Sequence, residues 1–289
     1  MGRVIEVVAD DGVEVAVHHL GGEGPPALVM AHATGFCGPA LSPLARHLGP
    51  TLSCLALDER GHGLSGSPPG GDFAWQGFAA DVLAVVSGLG LEVPLGFGHS
   101  CGATALLLAE QARPGTFQGL YCFEPVLFGP EERAEAADQA GEHPMVVAAR
   151  RRREVFASRE EARGNFRAKP PLDTLDPEAL EGYLVGGFED LDGGGVRLRC
   201  RAEDEARIYA AGLAQDAWDH LDRVRCPVVV ARGTCSSVMG AARAGRVAAR
   251  LPLGRVEEIP GVGHFGPMED PGAVARSLLE ALVEGHPRS

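Results

Sequence analysis

Positive charge is scarce in this sequence. Lys169 is the single lysine, and 26 basic residues face 39 acidic ones, for a formal net charge of −13. Nucleic-acid binding rests on Lys and Arg neutralising phosphates, so this balance argues against it. The same field disfavours highly anionic substrates unless a basic pocket is built locally. The excess of Arg over Lys reads as coding bias. No CxxC pair occurs among Cys37, Cys54, Cys101, Cys122, Cys200, Cys226 and Cys235, and their number is odd. A disulfide framework is therefore not expected, which favours a reducing compartment. Cys54, Cys122 and Cys226 lie in or beside apolar runs, where a free thiol packs as a small hydrophobe. No uninterrupted apolar stretch could span a bilayer, and Met1–Glu6 opens no signal peptide. No His, Cys, Asp or Glu cluster has zinc-ligand spacing; His18 and His19 are adjacent and would point to opposite faces of a strand. The expectation is a cytoplasmic protein without metal or cofactor, with a small-molecule partner, no nucleic acid and no membrane. A homodimer is left open.

What is present is ordinary for a globular chain. Hydrophobic residues make up 45% and charged ones 22%, and 289 residues are ample for a large core. Arg3–Val8 and Val13–His18 read as a hairpin around the turn Asp10-Asp11-Gly12. Short apolar runs then alternate with helical patterns. The runs are Ala27–Ala31, Leu52–Leu57, Val93–Phe97, Gly119–Phe123, Pro227–Ala231 and Arg255–Ile259. The helical stretches are Leu41–Leu48, Phe73–Leu89, Cys101–Gln111, Gly240–Leu251 and Gly272–Glu284. Nearly continuous apolar strands alternating with helices predict an α/β fold with a doubly wound, mostly parallel sheet. Between Phe123 and Pro227 lie roughly 100 residues, far beyond an ordinary loop. This insert reads as a helical lid over Glu131–Gln139, Pro144–Ser158, Arg159–Arg167, Pro177–Gly186 and Glu203–Leu213. The division is a core of residues 1–125 and 223–289 and a cap of residues 126–222. Asp192–Gly195 reads as a flexible turn, and the Arg150–Arg153 run as a solvated helix face.

Three segments carry chemistry. Gly98-His99-Ser100-Cys101-Gly102 matches G-x-S-x-G between an apolar strand and a helix-forming run. A sharp strand-to-helix turn presents the Ser100 hydroxyl at the sheet's end, demands small flanking residues, and aims free amides of the following helix at a developing oxyanion. Serine is a weak nucleophile without a base. His264, on a Gly-flanked loop after the last strand, sits at the sheet edge where catalytic groups collect. His32-Ala33-Thr34-Gly35-Phe36 follows Ala27–Ala31 and can supply a second oxyanion amide, making Thr34 and Cys101 the candidate pair. Phe36 and His32 are the candidate substrate contacts. His99 and Cys101 read as packing side chains.

These landmarks, with Asp58-Glu59-Arg60-Gly61-His62-Gly63-Leu64-Ser65 between them, resemble the α/β-hydrolase family in order and spacing over nearly the whole chain. The resemblance implies an eight-stranded sheet, a helical cap after the sixth strand, and a Ser–acid–His triad without cofactor. It assigns Arg60–Ser65 to a structural turn, so His62 is not counted as catalytic. One part of the pattern is missing. The loop after the seventh strand, Gly233-Thr234-Cys235-Ser236, carries Ser236 where the family's acid is often found. The family's alternative is the end of the sixth strand, here Glu124, with Asp58 and Glu59 as weaker candidates. The resulting reading is a cofactor-free serine hydrolase acting on an ester, thioester, lactone or carbon–carbon bond through Ser100, His264 and Glu124. The rival is a non-hydrolytic enzyme of the same fold: a lyase, cyclase or tailoring enzyme.

Overall fold

The computed structural model describes residues 2–137 and 143–284. Its strands are β1 (Val4–Val8), β2 (Glu14–Gly21), β3 (Ala27–Ala31), β4 (Ser53–Leu57), β5 (Leu95–His99), β6 (Gly119–Phe123), β7 (Val155–Phe156), β8 (Phe188–Asp190), β9 (Val196–Leu198), β10 (Val228–Gly233) and β11 (Gly254–Ile259). The α-helices are α1 (Ser42–Leu48), α2 (Trp75–Gly88), α3 (Cys101–Ala112), α4 (Pro130–Ala137), α5 (Pro144–Arg150), α6 (Arg159–Arg167), α7 (Pro177–Gly186), α8 (Ala202–Gly212), α9 (Ala241–Arg250), α10 (Gly266–Glu269) and α11 (Pro271–Leu279).

Eight strands form one sheet in the order β1-β2-β4-β3-β5-β6-β10-β11. β1 and β2 pair antiparallel with each other, as do β2 and β4, and every later pairing is parallel. The alternation of side chains along each strand splits the core in two. Val29, Ala31, Leu120, Cys122, Val228 and Val230 face α2, α3 and α9. Their neighbours Leu28, Met30, Phe97, Tyr121, Val229 and Ala231 face α1 and α11. Both faces are covered, which is why these strands are apolar throughout. Each Val, Leu or Phe so buried contributes roughly 1.5–3 kcal/mol. The edge strands β1 and β11 alternate with exposed residues instead. Among the described residues no helix is long and apolar enough to cross a membrane.

The fifth strand begins later than the apolar run implied. Val93 has φ 43° and breaks the extended chain. Pairing then continues to His99, opposite Phe123. The insert, read as a mostly helical lid, also contains strands. β7, β9 and β8 form a three-stranded antiparallel sheet. The helix expected over Pro144–Ser158 stops at Arg150, and Val155–Phe156 is a strand. The Gly193–Gly195 turn connects β8 to β9, with Gly194 and Gly195 at φ 88° and 89°. Strands of two or three residues are too short to express a period of two. α4 ends at Ala137, and the rest of the Glu131–Gln139 helix lies outside the described residues.

Candidate active site

The carboxyl ends of β3, β5, β6 and β10 and the loop after β11 converge on one point. Ser100 forms the turn from β5 into α3 at φ 55°, ψ −114°. A non-glycine residue held there is strained by about 1–3 kcal/mol, and the surroundings enforce it. Its amide donates to the Phe123 carbonyl at 2.9 Å. A Cβ at Gly98 would lie 2.4 Å from Ala103 Cα, and one at Gly102 would lie 2.5 Å from the Ala31 carbonyl carbon. Both obstacles are backbone and cannot swing aside. Gly102→Ala should therefore cost roughly 1–3 kcal/mol of stability as overpacking. A denaturant midpoint equal to wild type would show that the turn is looser than this.

Glu124 follows β6, also at positive φ (48°), and is fully buried. Three donors satisfy its carboxylate. The Gly233 amide donates to Oε1 at 2.9 Å, the Ser236 hydroxyl to Oε2 at 2.7 Å, and His264 Nδ1 lies 2.7 Å from Oε2. Ser236, which stands where the family's acid is often found, thus hydrogen-bonds a carboxylate that comes from the end of β6. Such partners offset the cost of burying a charge. They also fix the proton of His264 on Nδ1 and leave Nε2 free. Ser100 and His264 line the same cavity. Among the described residues no hydrogen bond joins them.

The loop after β3 is held by two histidines. His62 Nε2 accepts from the Gly35 amide at 2.9 Å, while its Nδ1 donates to the Arg60 carbonyl at 3.0 Å. His32 Nδ1 donates to the Ala33 carbonyl at 2.8 Å, and its Nε2 accepts from the Glu59 amide at 3.0 Å. Each ring acts once as donor and once as acceptor, so both are neutral. The expectation that His32 touches substrate is corrected here. It is buried beneath the loop and does not reach the cavity. Thr34 does line the cavity, and its amide has no hydrogen-bond partner among the described residues. The Cys101 amide, at the first position of α3, has no carbonyl to pair with inside its helix. Phe36 lines the cavity between Tyr183 and Phe265, with ring centroids 5.0 and 5.4 Å away.

The cavity has a volume of about 640 Å³ and is predominantly apolar. Its far wall comes from the insert, including Met145, Tyr209 and Leu213. Arg152 and Glu205 also line it, joined Nη1 to Oε2 at 2.7 Å, with Arg152 Nη2 donating to the Tyr183 hydroxyl. Burial pulls the Arg152 guanidinium down, but Tyr183 and Glu205 more than reverse this and hold it above its ordinary value. Among the described residues, no group of three or more His, Cys, Asp or Glu could hold a metal ion.

Residues 28–277 match the profile of the Alpha/beta hydrolase family. The chain belongs to that family. A 2-(acetamidomethylene)succinate hydrolase of Mesorhizobium japonicum is 26% identical over 241 residues, 83% of this chain and 82% of the relative. An N-formylmaleamate deformylase of Pseudomonas putida is 35% identical over 130 residues, 44% of this chain and 47% of the relative. The crystal structure of an E-2-(acetamidomethylene)succinate hydrolase superposes with a TM-score of 0.81 at 22% identity, covering 96% of this chain and 99% of that one. The chain is an enzyme of the α/β-hydrolase family, and its curated relatives are hydrolases.

This α/β-hydrolase has supports around His264 that the sequence did not reveal. His99 Nε2 donates to the His264 carbonyl at 2.8 Å, so His99 does more than pack. Glu269 accepts from the amides of Gly263 and Phe265 at 2.6 and 3.2 Å and brackets the histidine from both sides. Burial, with His62 nearby, pushes His32 down to about 3 from its ordinary 6.5. Between those values the unfolded chain binds a proton that the folded one refuses. Stability should therefore fall as pH drops below about 6.5, by up to roughly 1.4 kcal/mol per pH unit from this residue alone. A His32→Gln variant should be less stable at pH 7 but show a shallower decline in melting temperature toward pH 4. Parallel declines would mean His32 is not held neutral by the fold.

Proposed function

We propose that this protein is a serine hydrolase that cleaves a carbonyl substrate by two-step acyl transfer. The observation that carries the reading is His264, which lines the same cavity as the strained Ser100 and is backed, 2.7 Å from its Nδ1, by the fully buried Glu124 carboxylate. His264 takes the Ser100 proton, Ser100 Oγ attacks the carbonyl, and the amides of Thr34 and Cys101 stabilise the oxyanion. His264 then protonates the leaving group, and water deprotonated by His264 releases the acyl group as an acid. Glu124 keeps the imidazole in the required tautomer and stabilises its cation. The insert over residues 126–222 acts as the cap that closes the cavity and sets its shape.

The scissile bond is that of an ester, thioester, lactone or carbon–carbon system, to which the relatives add an amide. Acetamidomethylene succinate and N-formylmaleamate each carry an N-acyl group by name. A cofactor-free mechanism fits the donor set, so turnover should survive dialysis against a strong chelator. Loss that added metal restores would overturn it. The decisive experiment combines fluorophosphonate labelling with a substrate panel run in H₂¹⁸O. Labelling at Ser100 and one solvent oxygen in the acid product are expected. Turnover of a panel compound without solvent oxygen would favour the non-hydrolytic alternative.

A further inference from the structure

Among the described residues lining the cavity, Arg152 and Glu205 are the only Lys, Arg, Asp or Glu. The neighbouring pairs Arg150–Glu203 and Arg153–Glu161 lie at the surface with side chains 40–52% exposed, where ion pairs contribute little. The Arg152–Glu205 pair is different, with side chains 21% and 7% exposed. Its position is fixed against the site. A Cβ on Gly35 would lie 2.7 Å from Glu205 Oε1 and 2.9 Å from Arg152 Nη1, so the pair rests directly on the backbone beside Thr34. Arg152, Glu205 and the Tyr183 hydroxyl all belong to the insert, and together they occupy both ends of the guanidinium.

A free guanidinium at this position would be a carboxylate receptor, because its planar fork matches a carboxylate with two hydrogen bonds. Here both terminal nitrogens are already engaged, Nη1 by Glu205 and Nη2 by the Tyr183 hydroxyl. A substrate carboxylate brought to this guanidinium would sit against Glu205 or displace it, adding a second negative charge in a largely buried wall, and like charges so placed repel strongly. The net charge of −13 acts in the same direction. We infer that the Arg152–Glu205 pair sets the substrate class of this cavity, admitting acyl groups without net charge and rejecting those that carry a carboxylate, in contrast to the carboxylates named for the two relatives. The inference rests on the serine-hydrolase reading for the position of the acyl group, while its charge selection follows from the pair alone.

The test compares three ligands of one length: hexanamide, adipamate (the mono-amide of adipic acid) and 6-aminohexanamide. Calorimetric titration of the wild-type protein should show hexanamide binding at least about tenfold tighter than either charged ligand. Glu205→Gln, which frees the guanidinium, should improve adipamate binding by roughly tenfold. Arg152→Met, which frees the carboxylate, should improve 6-aminohexanamide binding instead. Circular dichroism and melting curves establish that each variant folds. Should one not fold, the wild-type ratios and the other variant decide. Adipamate binding to wild type as tightly as hexanamide overturns the inference, as do folded variants with unchanged ratios. The matched 4-nitrophenyl hexanoate and hemiadipate esters add a kinetic readout. Ligand selection without ester hydrolysis or fluorophosphonate labelling would reject the serine-hydrolase reading and leave the charge selection standing.

Discussion

Ser100→Ala is expected to lower kcat by roughly 10⁴–10⁶-fold, as removal of an activated nucleophile does. The folded structure should hardly notice. The Ser100 hydroxyl makes no hydrogen bond among the described residues, and alanine at φ 55° carries about the same backbone strain as serine. The melting transition should therefore move by no more than about 1 kcal/mol equivalent. The strand-to-helix turn at Ser100, an elbow between β5 and α3, is itself preserved in this variant. Gly98 and Gly102 still allow the close approach, the hydrogen bond from the Ser100 amide to the Phe123 carbonyl needs no side chain, and the Cys101 amide remains without a partner inside α3. Whatever activity is left measures binding and oxyanion stabilisation without covalent attack. Initial rates on the best panel substrate, with mass spectrometry of the fluorophosphonate adduct, check the claim. Near-normal turnover by Ser100→Ala would mean that water attacks directly, with His264 as its base, or that the reaction is not an acyl transfer.

The α/β core was legible because its signals are local and repeated. β3 and β6 coincide with apolar runs that need no context, and α11 is framed by the cap Asp270, whose side chain accepts the Ala273 amide, with Pro271 in its first turn. The elbow was legible because Gly98 and Gly102 are forced by backbone crowding. What escaped was set by partners distant in the chain. His32 sits in the right motif, but its ring turns away from the cavity to accept an amide 27 residues on. Ser236 looked like a lost acid, yet its hydroxyl serves a carboxylate 112 residues upstream. The histidine–carbonyl bond from His99 spans 165 residues. The small sheet of the insert escaped for a different reason: β8 and β9 are three residues each and hold together only because a hairpin and β7 pair them. Sequence pattern reports which face a residue belongs to; it does not report which way a ring turns.

Glu124→Gln should keep the fold and cut kcat by about 10²–10⁴-fold, judging from triads whose acid is made neutral. The change is nearly isosteric, so the Gly233 amide can still donate to the side-chain oxygen. The difficulty arises at the other terminal atom. In the wild type, Oε2 accepts from both the Ser236 hydroxyl and His264 Nδ1. An amide nitrogen there can only donate. It would meet Nδ1 as a donor, driving the ring proton to Nε2, where it can no longer accept the proton of Ser100. If the amide flips to keep its oxygen on His264, the nitrogen instead faces the Gly233 amide, donor against donor, in a fully buried position. Either arrangement loses the negative charge that stabilises the imidazolium. The loss should fall on kcat with KM nearly unchanged, because Glu124 does not line the cavity. Ser236→Ala provides the contrast: it removes one donor, leaves the charge, and should cost about tenfold or less. Kinetics of both variants, with NMR of the His264 ring nitrogens, decide the matter. A Gln variant as active as wild type, with Nδ1 still protonated, would show that another group orients His264. The carboxylate against its ring would then be structural, and the non-hydrolytic alternative would gain its first direct support.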